Sequence, residues 1–157
     1  MIVQDVVVLL VRLGLVALFL PASAFDKVFN FRAAATQARE VFRPRALAAA
    51  TIVAGLSIEI LMPLLILTGF ADRFAALVLS GYCVATALLF KRFWRHGDFW
   101  KAGDSQGRTL FWDFLKNLSL ASGFLLLTVG PDGAGLQPFL AHPFASSDPY
   151  ASNRHGS

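Results

Sequence analysis

The sequence predicts an all-α fold, a four-helix transmembrane bundle, on three observations. The chain of 157 residues is 56% hydrophobic and only 15% charged, whereas ordinary soluble domains are roughly 25% charged. Four apolar segments each approach the length of ~20 residues that crosses the hydrocarbon core of a bilayer. These segments also lack the alternation of apolar and polar residues that is typical of barrel strands. We therefore expect one transmembrane domain over residues 1–130.

The four predicted spans differ in the charges that they carry. They follow one another along the chain at residues 6–25, 46–71, 74–90 and 109–129. The first contains Arg12, and the second contains a single formal charge, Glu59. The third is uncharged, and the fourth carries Asp113 and Lys116 in its first two turns. Because charges inside a membrane are costly, these few groups are the first candidates for functional residues.

Two regions outside the spans have distinct compositions. Between the first two spans, Asn30 can cap a short helix that Pro44 ends, and the apolar residues of that helix fall on one face. We expect a short amphipathic helix in the membrane interface, and a connector packed on the bundle is the alternative. The last segment, residues 131–157, is rich in Pro, Gly and Ser. We expect it to be a disordered tail.

The basic residues are unevenly distributed among the loops. Most of the Lys and Arg residues lie in the first loop, residues 26–45, or in the third, residues 91–108. The positive-inside rule places both loops in the cytoplasm and both termini outside. The net charge of +4 therefore reflects membrane topology. We expect the lipid bilayer, and no nucleic acid, as the partner of these charges.

Arg12 and Glu59 are expected to lie at a similar depth in the bilayer. At 1.5 Å per residue, Arg12 lies ~10 Å below the outer surface if the chain enters near Asp5. Glu59 lies ~20 Å above the inner surface, hence ~10 Å from the outer edge of a ~30 Å core. We therefore predict a buried Arg12–Glu59 pair. Such a pair either fixes helix packing or borders a cavity that binds a polar group.

The cysteine and histidine content limits the redox chemistry of the chain. Its single cysteine, Cys83, excludes an intrachain disulfide, a CxxC pair and a cysteine-ligated cluster within this chain. None of the three histidines lies inside a predicted span, which excludes a bis-histidine haem in the bilayer. We expect no metal site and no covalently bound cofactor. A redox role then requires a noncovalent organic cofactor or another subunit.

The third loop and the fourth span combine aromatic side chains with groups that hold or exchange protons. His96, Asp98 and Trp100 lie close together in the sequence, and Lys116 and Asn117 follow in the fourth span. An imidazole beside flat aromatic rings and hydrogen-bond donors can hold a quinone headgroup at the membrane edge. His96 would donate or accept a proton, and Lys116 would stabilise negative charge on a quinone oxygen. An aromatic interfacial belt and a lysine that reaches the lipid headgroups are the alternatives.

Four motifs follow one another along the chain: RLGLVALFLPASAFDKVFNF, GLSIEILMPLLILTG, HGDFW and FWDFLKNLSLASGFLLL. Together they resemble the DoxX family of small four-helix bacterial membrane proteins, over residues 8–130. The resemblance implies matching positions at Arg12, Asp26, Lys27, Glu59, His96, Lys116 and Asn117. The family takes its name from a subunit of an archaeal thiosulfate:quinone oxidoreductase, and other members are associated with membrane redox complexes and with oxidative or thiol stress.

The residues and this resemblance together lead to a functional hypothesis. We expect a multi-pass protein of the bacterial cytoplasmic (inner) membrane, a subunit of a quinone-linked oxidoreductase, such as one of the thiosulfate:quinone type, or of a redox-stress complex. The candidate quinone pocket comprises Asp26, Lys27, His96, Trp100, Lys116 and Asn117. The partners would be other membrane or peripheral redox subunits, or further copies of the chain. The alternatives are a non-catalytic anchor or scaffold for partner proteins and a small-solute transporter.

Overall fold

The computed structural model describes residues 3–23, 25, 29–30, 36, 44–130 and 133–150. The regular elements in this part of the chain are all helical. They are α1 (Val3–Val16), a π-helical turn (Leu18–Ser23), α2 (Arg45–Thr68), α3 (Asp72–Phe90), a 3-10 turn (Phe93–Arg95), α4 (Gln106–Val129) and α5 (Leu136–Ala141). The prediction of an all-α fold is confirmed. Most of the predicted interfacial helix lies outside the described residues, and so do Asp26 and Lys27.

Three of the described helices are long and apolar enough to cross a membrane. Their candidate spans are Ala46–Thr68, Asp72–Arg95 and Gln106–Val129. The first predicted span differs, because α1 ends at Val16 after 14 residues and the chain bends at Leu20, where φ is −117° and ψ is 101°. Pro21 explains the bend: it cannot donate a backbone hydrogen bond, and it disfavours helical geometry in the residue before it.

The core lies between α2, α3 and α4, with α1 and the π-helical turn packed against it. Small residues on one face of α3, such as Ala76 and Cys83, are fully buried and allow close approach of the neighbouring helices. Ser80 of α3 donates a hydrogen bond of 2.9 Å to the backbone carbonyl of Ala121 in α4. Phe19 enters this core from the π-helical turn and packs against Phe124, with 5.8 Å between ring centroids.

The C-terminal region corrects one prediction. Residues 133–150 are not a disordered tail, because α5 packs on the end of α4 and the segment after α5 packs where α2 meets α3. Phe144 packs against Phe74 with the rings tilted and 4.7 Å between their centroids, and the Tyr150 hydroxyl donates to the Leu67 carbonyl at 2.8 Å. Composition suggested disorder, but Phe139 of α5 is buried and the two aromatic contacts fix the segment that follows it. Residues 151–157 lie outside the described part of the chain.

Candidate functional site

A buried ion pair joins α1 to the beginning of α3. Arg12 Nη2 lies 2.6 Å from Asp72 Oδ2, and the two residues are 2% and 0% exposed. Arg12 Nη1 also donates to the backbone carbonyl of Ile66 at 2.5 Å. This carbonyl belongs to the last turn of α2, where backbone acceptors have no partner within the helix. Arg12 therefore connects three helices at one end of the bundle.

Ser147 from the C-terminal segment completes this cluster. Its hydroxyl accepts a hydrogen bond from Arg12 Nη2 at 2.9 Å and donates to Asp72 Oδ2 at 2.5 Å. The backbone N–H of Ser147 donates to Asp72 Oδ1 at 2.9 Å, and that of Arg73 donates to the same oxygen at 3.0 Å. Asp72 lies in the first turn of α3, where the helix dipole favours a negative charge. Four donors thus stabilise the buried carboxylate.

The predicted partner of Arg12 was wrong. Arg12 and Glu59 are both buried, but Arg12 pairs with Asp72. Arg12 contacts α2 at Ile66, seven residues beyond Glu59, which corresponds to ~10 Å along the helix. Asp72 lies between two of the apolar segments, so a comparison of the charges inside those segments does not include it.

Glu59 instead accepts a hydrogen bond from α3. The Tyr82 hydroxyl donates to Glu59 Oε1 at 2.6 Å. Gly55, one helical turn before Glu59, makes room for this hydroxyl, because a Cβ at Gly55 would lie 3.1 Å from Tyr82 Oη. Tyr82 in turn packs edge-to-face on Phe19. Packing therefore explains two residues of the GLSIE motif. Gly55 leaves space for the Tyr82 hydroxyl, and Glu59 accepts its hydrogen bond.

The loop after α3 is organised around Asp98, which acts as a helix cap. Asp98 Oδ2 accepts from the Gln106 N–H at 2.7 Å, and Oδ1 accepts from the Gly107 N–H at 3.1 Å. A Cβ at Gly107 would lie 2.9 Å from Asp98 Oδ1, so the close approach depends on glycine. Desolvation raises the pKa of the Asp98 carboxyl, but the two backbone N–H groups and nearby His96 outweigh it, and the pKa lies below its usual value.

The candidate residues of the third loop lie on its surface. Trp100 is 91% exposed and contacts Phe99, with 4.8 Å between ring centroids. His96 is half-buried beside the beginning of α4. The exposure of Trp100 is consistent with contact to lipid headgroups or to a partner protein, and an aromatic belt was one of the alternatives predicted for this loop.

Lys116 and Asn117 lie on α4, as their spacing predicted. Lys116 is exposed, with its Nζ 3.4 Å from Asp113 Oδ1 on the same helix. Asp113 Oδ2 also pairs with Lys91 Nζ at 3.1 Å, which connects the end of α3 to α4. Asn117 is half-buried.

A groove runs along α4 beside Lys116. Its volume is about 600 Å³, and it is lined by Leu18, Trp112, Leu115, Lys116, Ser119 and Leu120. Trp112, Lys116 and Ser119 recur at intervals of four and three residues and therefore share one face of the helix. The groove is apolar apart from the Lys116 ammonium and the hydroxyl of Ser119. The indole ring of Trp112 is exposed and lies on the same face of α4 as these two polar groups.

Of the predicted pocket residues that the structure describes, one lines the groove. Of the predicted residues, Lys116 lines the groove, whereas His96 and Trp100 do not contribute to its wall. Trp112 and Ser119 were missed as site residues, although their spacing around Lys116 was a usable signal. Within the described ranges, no three His, Cys, Asp or Glu side chains are grouped so as to hold a metal ion.

The helices and their buried polar groups define the class of helical multi-pass membrane proteins. Within that class, the chain belongs to the DoxX family, whose sequence model matches residues 7–92. It is similar to a curated protein named inner membrane protein YphA, from Escherichia coli (strain K12). The two are 29% identical over 131 residues, which cover 83% of this chain and 87% of the relative. No solved structure matches the chain.

Proposed function

We propose that this chain is an inner-membrane subunit of a quinone-linked oxidoreductase or redox-stress complex, and that the α4 groove binds the quinone. The observation that carries the proposal is the combination of Trp112 and Lys116 in a largely apolar groove on a membrane-spanning helix. The location is supported by the name of the similar E. coli protein, which describes an inner membrane protein.

The groove has the chemistry that a quinone requires. An isoprenoid tail is apolar and would lie along the leucine side chains, which are accessible from the lipid phase. The indole of Trp112 offers a flat apolar face to the ring. The Lys116 ammonium, with three donor hydrogens, would hydrogen-bond a quinone oxygen. A bound quinone would supply two-electron redox chemistry, and the residues of this chain would bind and orient it.

The orientation of the protein is part of the proposal. The connection between α3 and α4 carries Arg92, Arg95 and Lys101, and Arg108 lies in the first turn of α4. By the positive-inside rule, this end of the bundle faces the cytoplasm. The Arg12–Asp72 pair and the C-terminal segment then lie at the outer end. Attachment of a cysteine-reactive, membrane-impermeant reagent to a Ser146→Cys variant in intact spheroplasts tests this orientation.

A second candidate function is a non-catalytic scaffold, and a specific observation favours it. Two buried acidic side chains receive hydrogen bonds inside the packed bundle: Asp72 receives them from Arg12 and Ser147, and Glu59 receives one from Tyr82. This is the arrangement expected if buried charges serve helix packing alone. Trp112, Leu125 and Leu126 of α4 are exposed, so this helix offers an apolar surface to lipid or to another membrane protein.

Purification in nanodiscs, followed by mass spectrometry of bound lipids and proteins, distinguishes the two functions. We expect one quinone per chain in the wild type, a loss in Trp112→Ala and Lys116→Ala, and retention in the matched variants Trp100→Ala and Lys101→Ala. Loss in Trp100→Ala but not in Trp112→Ala would move the site to the third loop. Recovery of a partner protein with no quinone in any sample would contradict the quinone proposal and favour the scaffold.

A further inference from the structure

The segment after α5 lies across the end of the bundle without regular secondary structure. We name residues 142–150 the C-terminal strap. We propose that the strap is a releasable latch: while closed, it holds α1 against α2 and α3, and its opening loosens α1 and alters the α4 groove. The second half of this inference rests on the proposed function of that groove. The first half is independent of any ligand.

The strap is attached through the buried ion pair. Ser147 contacts both members of the pair, accepting from Arg12 and donating twice to Asp72, through its hydroxyl and its backbone N–H. Hydrogen bonds to charged groups are stronger than those between neutral groups. Since both charges are buried, loss of the Ser147 contacts leaves part of their hydrogen-bonding capacity unsatisfied. Release of the strap therefore acts directly on the contact that holds α1.

Among the described residues, three other strap side chains contact the bundle, and none of the three is fully buried. Pro149 packs on Gly69, where a Cβ would lie 2.9 Å from Pro149 Cγ. Tyr150 donates to the Leu67 carbonyl, and Phe144, which stacks on Phe74, remains largely exposed. Segments with few buried contacts open at a lower free energy than the core of the same protein. The strap thus has the properties of a segment that opens while α2, α3 and α4 stay folded.

The contacts of Arg12 are a substantial part of the attachment of α1 to the bundle. Of the 14 residues of α1, Asp5, Arg12 and Val16 are buried, and apolar side chains such as Leu10 and Val11 are exposed. Leu18, two residues after the end of α1, forms one wall of the α4 groove. A shift of α1 therefore moves Leu18 and changes the wall of the groove that Lys116 and Ser119 also line.

Hydrogen-exchange mass spectrometry of the full chain in nanodiscs tests the latch. We expect Ser147→Ala to raise the exchange rate of the α1 amides by about tenfold, through easier local opening, while α3 and α4 exchange as in the wild type. Ser146→Ala is the matched control, because Ser146 is exposed and accepts a local hydrogen bond from the Asp148 N–H. Ser147→Thr keeps the hydroxyl and should restore protection. A chain that ends at residue 141 should reproduce the Ser147→Ala result.

The possible results separate the latch from the proposed function. Unchanged α1 exchange in both Ser147→Ala and the shortened chain would overturn the latch. Faster exchange throughout α3 and α4 as well would also overturn it, because the strap would then be part of one cooperative unit. If α1 loosens in Ser147→Ala but this variant retains as much quinone as the wild type, the proposed coupling between the strap and the groove is wrong. If the wild type binds no quinone, the proposed function fails while α1 exchange still decides the latch.

Discussion

Arg12 and Asp72 lie 60 positions apart in the chain and form an ion pair of 2.6 Å in which neither side chain is exposed. The pair forms where the last turn of α2, the first turn of α3 and the middle of α1 converge. In a low-dielectric environment, two such charges are tolerated only with good geometry and further hydrogen bonds. The Ile66 carbonyl and Ser147 supply these additional bonds. The pair therefore attaches α1 to the junction of α2 and α3.

Removing one member of this pair should strongly destabilise the protein. We expect Asp72→Ala and Arg12→Ala each to lower the free energy of unfolding by ~3–5 kcal/mol, because each leaves an uncompensated buried charge. Cys83 provides a natural reporter, since it is the single cysteine and is fully buried. Thermal unfolding in detergent, followed with a thiol-reactive fluorogenic dye, measures the change.

The matched controls for the ion pair are Asp104→Ala and Arg95→Ala. Both remove an exposed charge, and we expect each to change stability by no more than about 0.5 kcal/mol. The double variant Arg12→Met/Asp72→Leu should be more stable than either single alanine variant, because no unpaired charge remains. A double variant that is as unstable as the sum of the two single variants would show that the two side chains are not coupled.

Gly55 and Tyr82 should show non-additive effects. Gly55→Ala introduces a Cβ only 3.1 Å from Tyr82 Oη and is expected to cost ~1–3 kcal/mol by overpacking. Tyr82→Phe removes the hydrogen bond to Glu59 and is expected to cost ~1–3 kcal/mol. In the double variant, the absent hydroxyl leaves space for the new methyl group, so the combined cost should be smaller than the sum.

The same dye assay measures all three Gly55 and Tyr82 variants. Gly81→Ala is the control for helical glycine, because a Cβ at Gly81 meets nothing within 4 Å. We expect it to be neutral or stabilising, since alanine favours a helix by ~0.5–1 kcal/mol relative to glycine. Strictly additive losses at Gly55 and Tyr82 would indicate that the tyrosine hydroxyl does not occupy the space beside Gly55.

The cap formed by Asp98 should weaken in acid. The pKa of Asp98 is lowered in the folded state, so its contribution to stability is present above its unfolded pKa of about 3.9. That contribution is lost as the pH falls through the lower, folded pKa. NMR titration of the Gln106 and Gly107 amides in micelles should show a shift in that range. The titration should be absent in Asp98→Asn and retained in Asp104→Asn, and its persistence in Asp98→Asn would contradict the cap.

Local patterns in the sequence were sufficient to predict the long helices. α2, α3 and α4 follow from uninterrupted apolar segments, because a helix is the means by which a single segment satisfies its own backbone groups in lipid. The Asp113–Lys116 contact was also predictable, since residues three apart on a helix are neighbours. The bend at Leu20 has an equally local cause, Pro21, which the apolar character of residues 6–25 does not reveal.

The tertiary contacts could not be derived in the same way. Asp72 is the partner of Arg12 because the α2–α3 turn folds back onto α1, and depth along separate helices does not define such a turn. Ser147 lies in a segment whose composition resembles that of disordered chains, yet a few specific hydrogen bonds and aromatic contacts fix it. The groove likewise depends on Leu18, which comes from a different helical element than the other lining residues.

The proposed binding site is tested most directly by photolabelling with an azido-quinone in nanodiscs, followed by peptide mapping of the label. We expect saturable labelling of α4 between Trp112 and Leu120, displaced by unlabelled quinone and abolished in Lys116→Ala, with Lys101→Ala labelled like the wild type. Labelling confined to the loop around His96 and Trp100, or labelling that unlabelled quinone does not displace, would contradict the α4 groove as the quinone site.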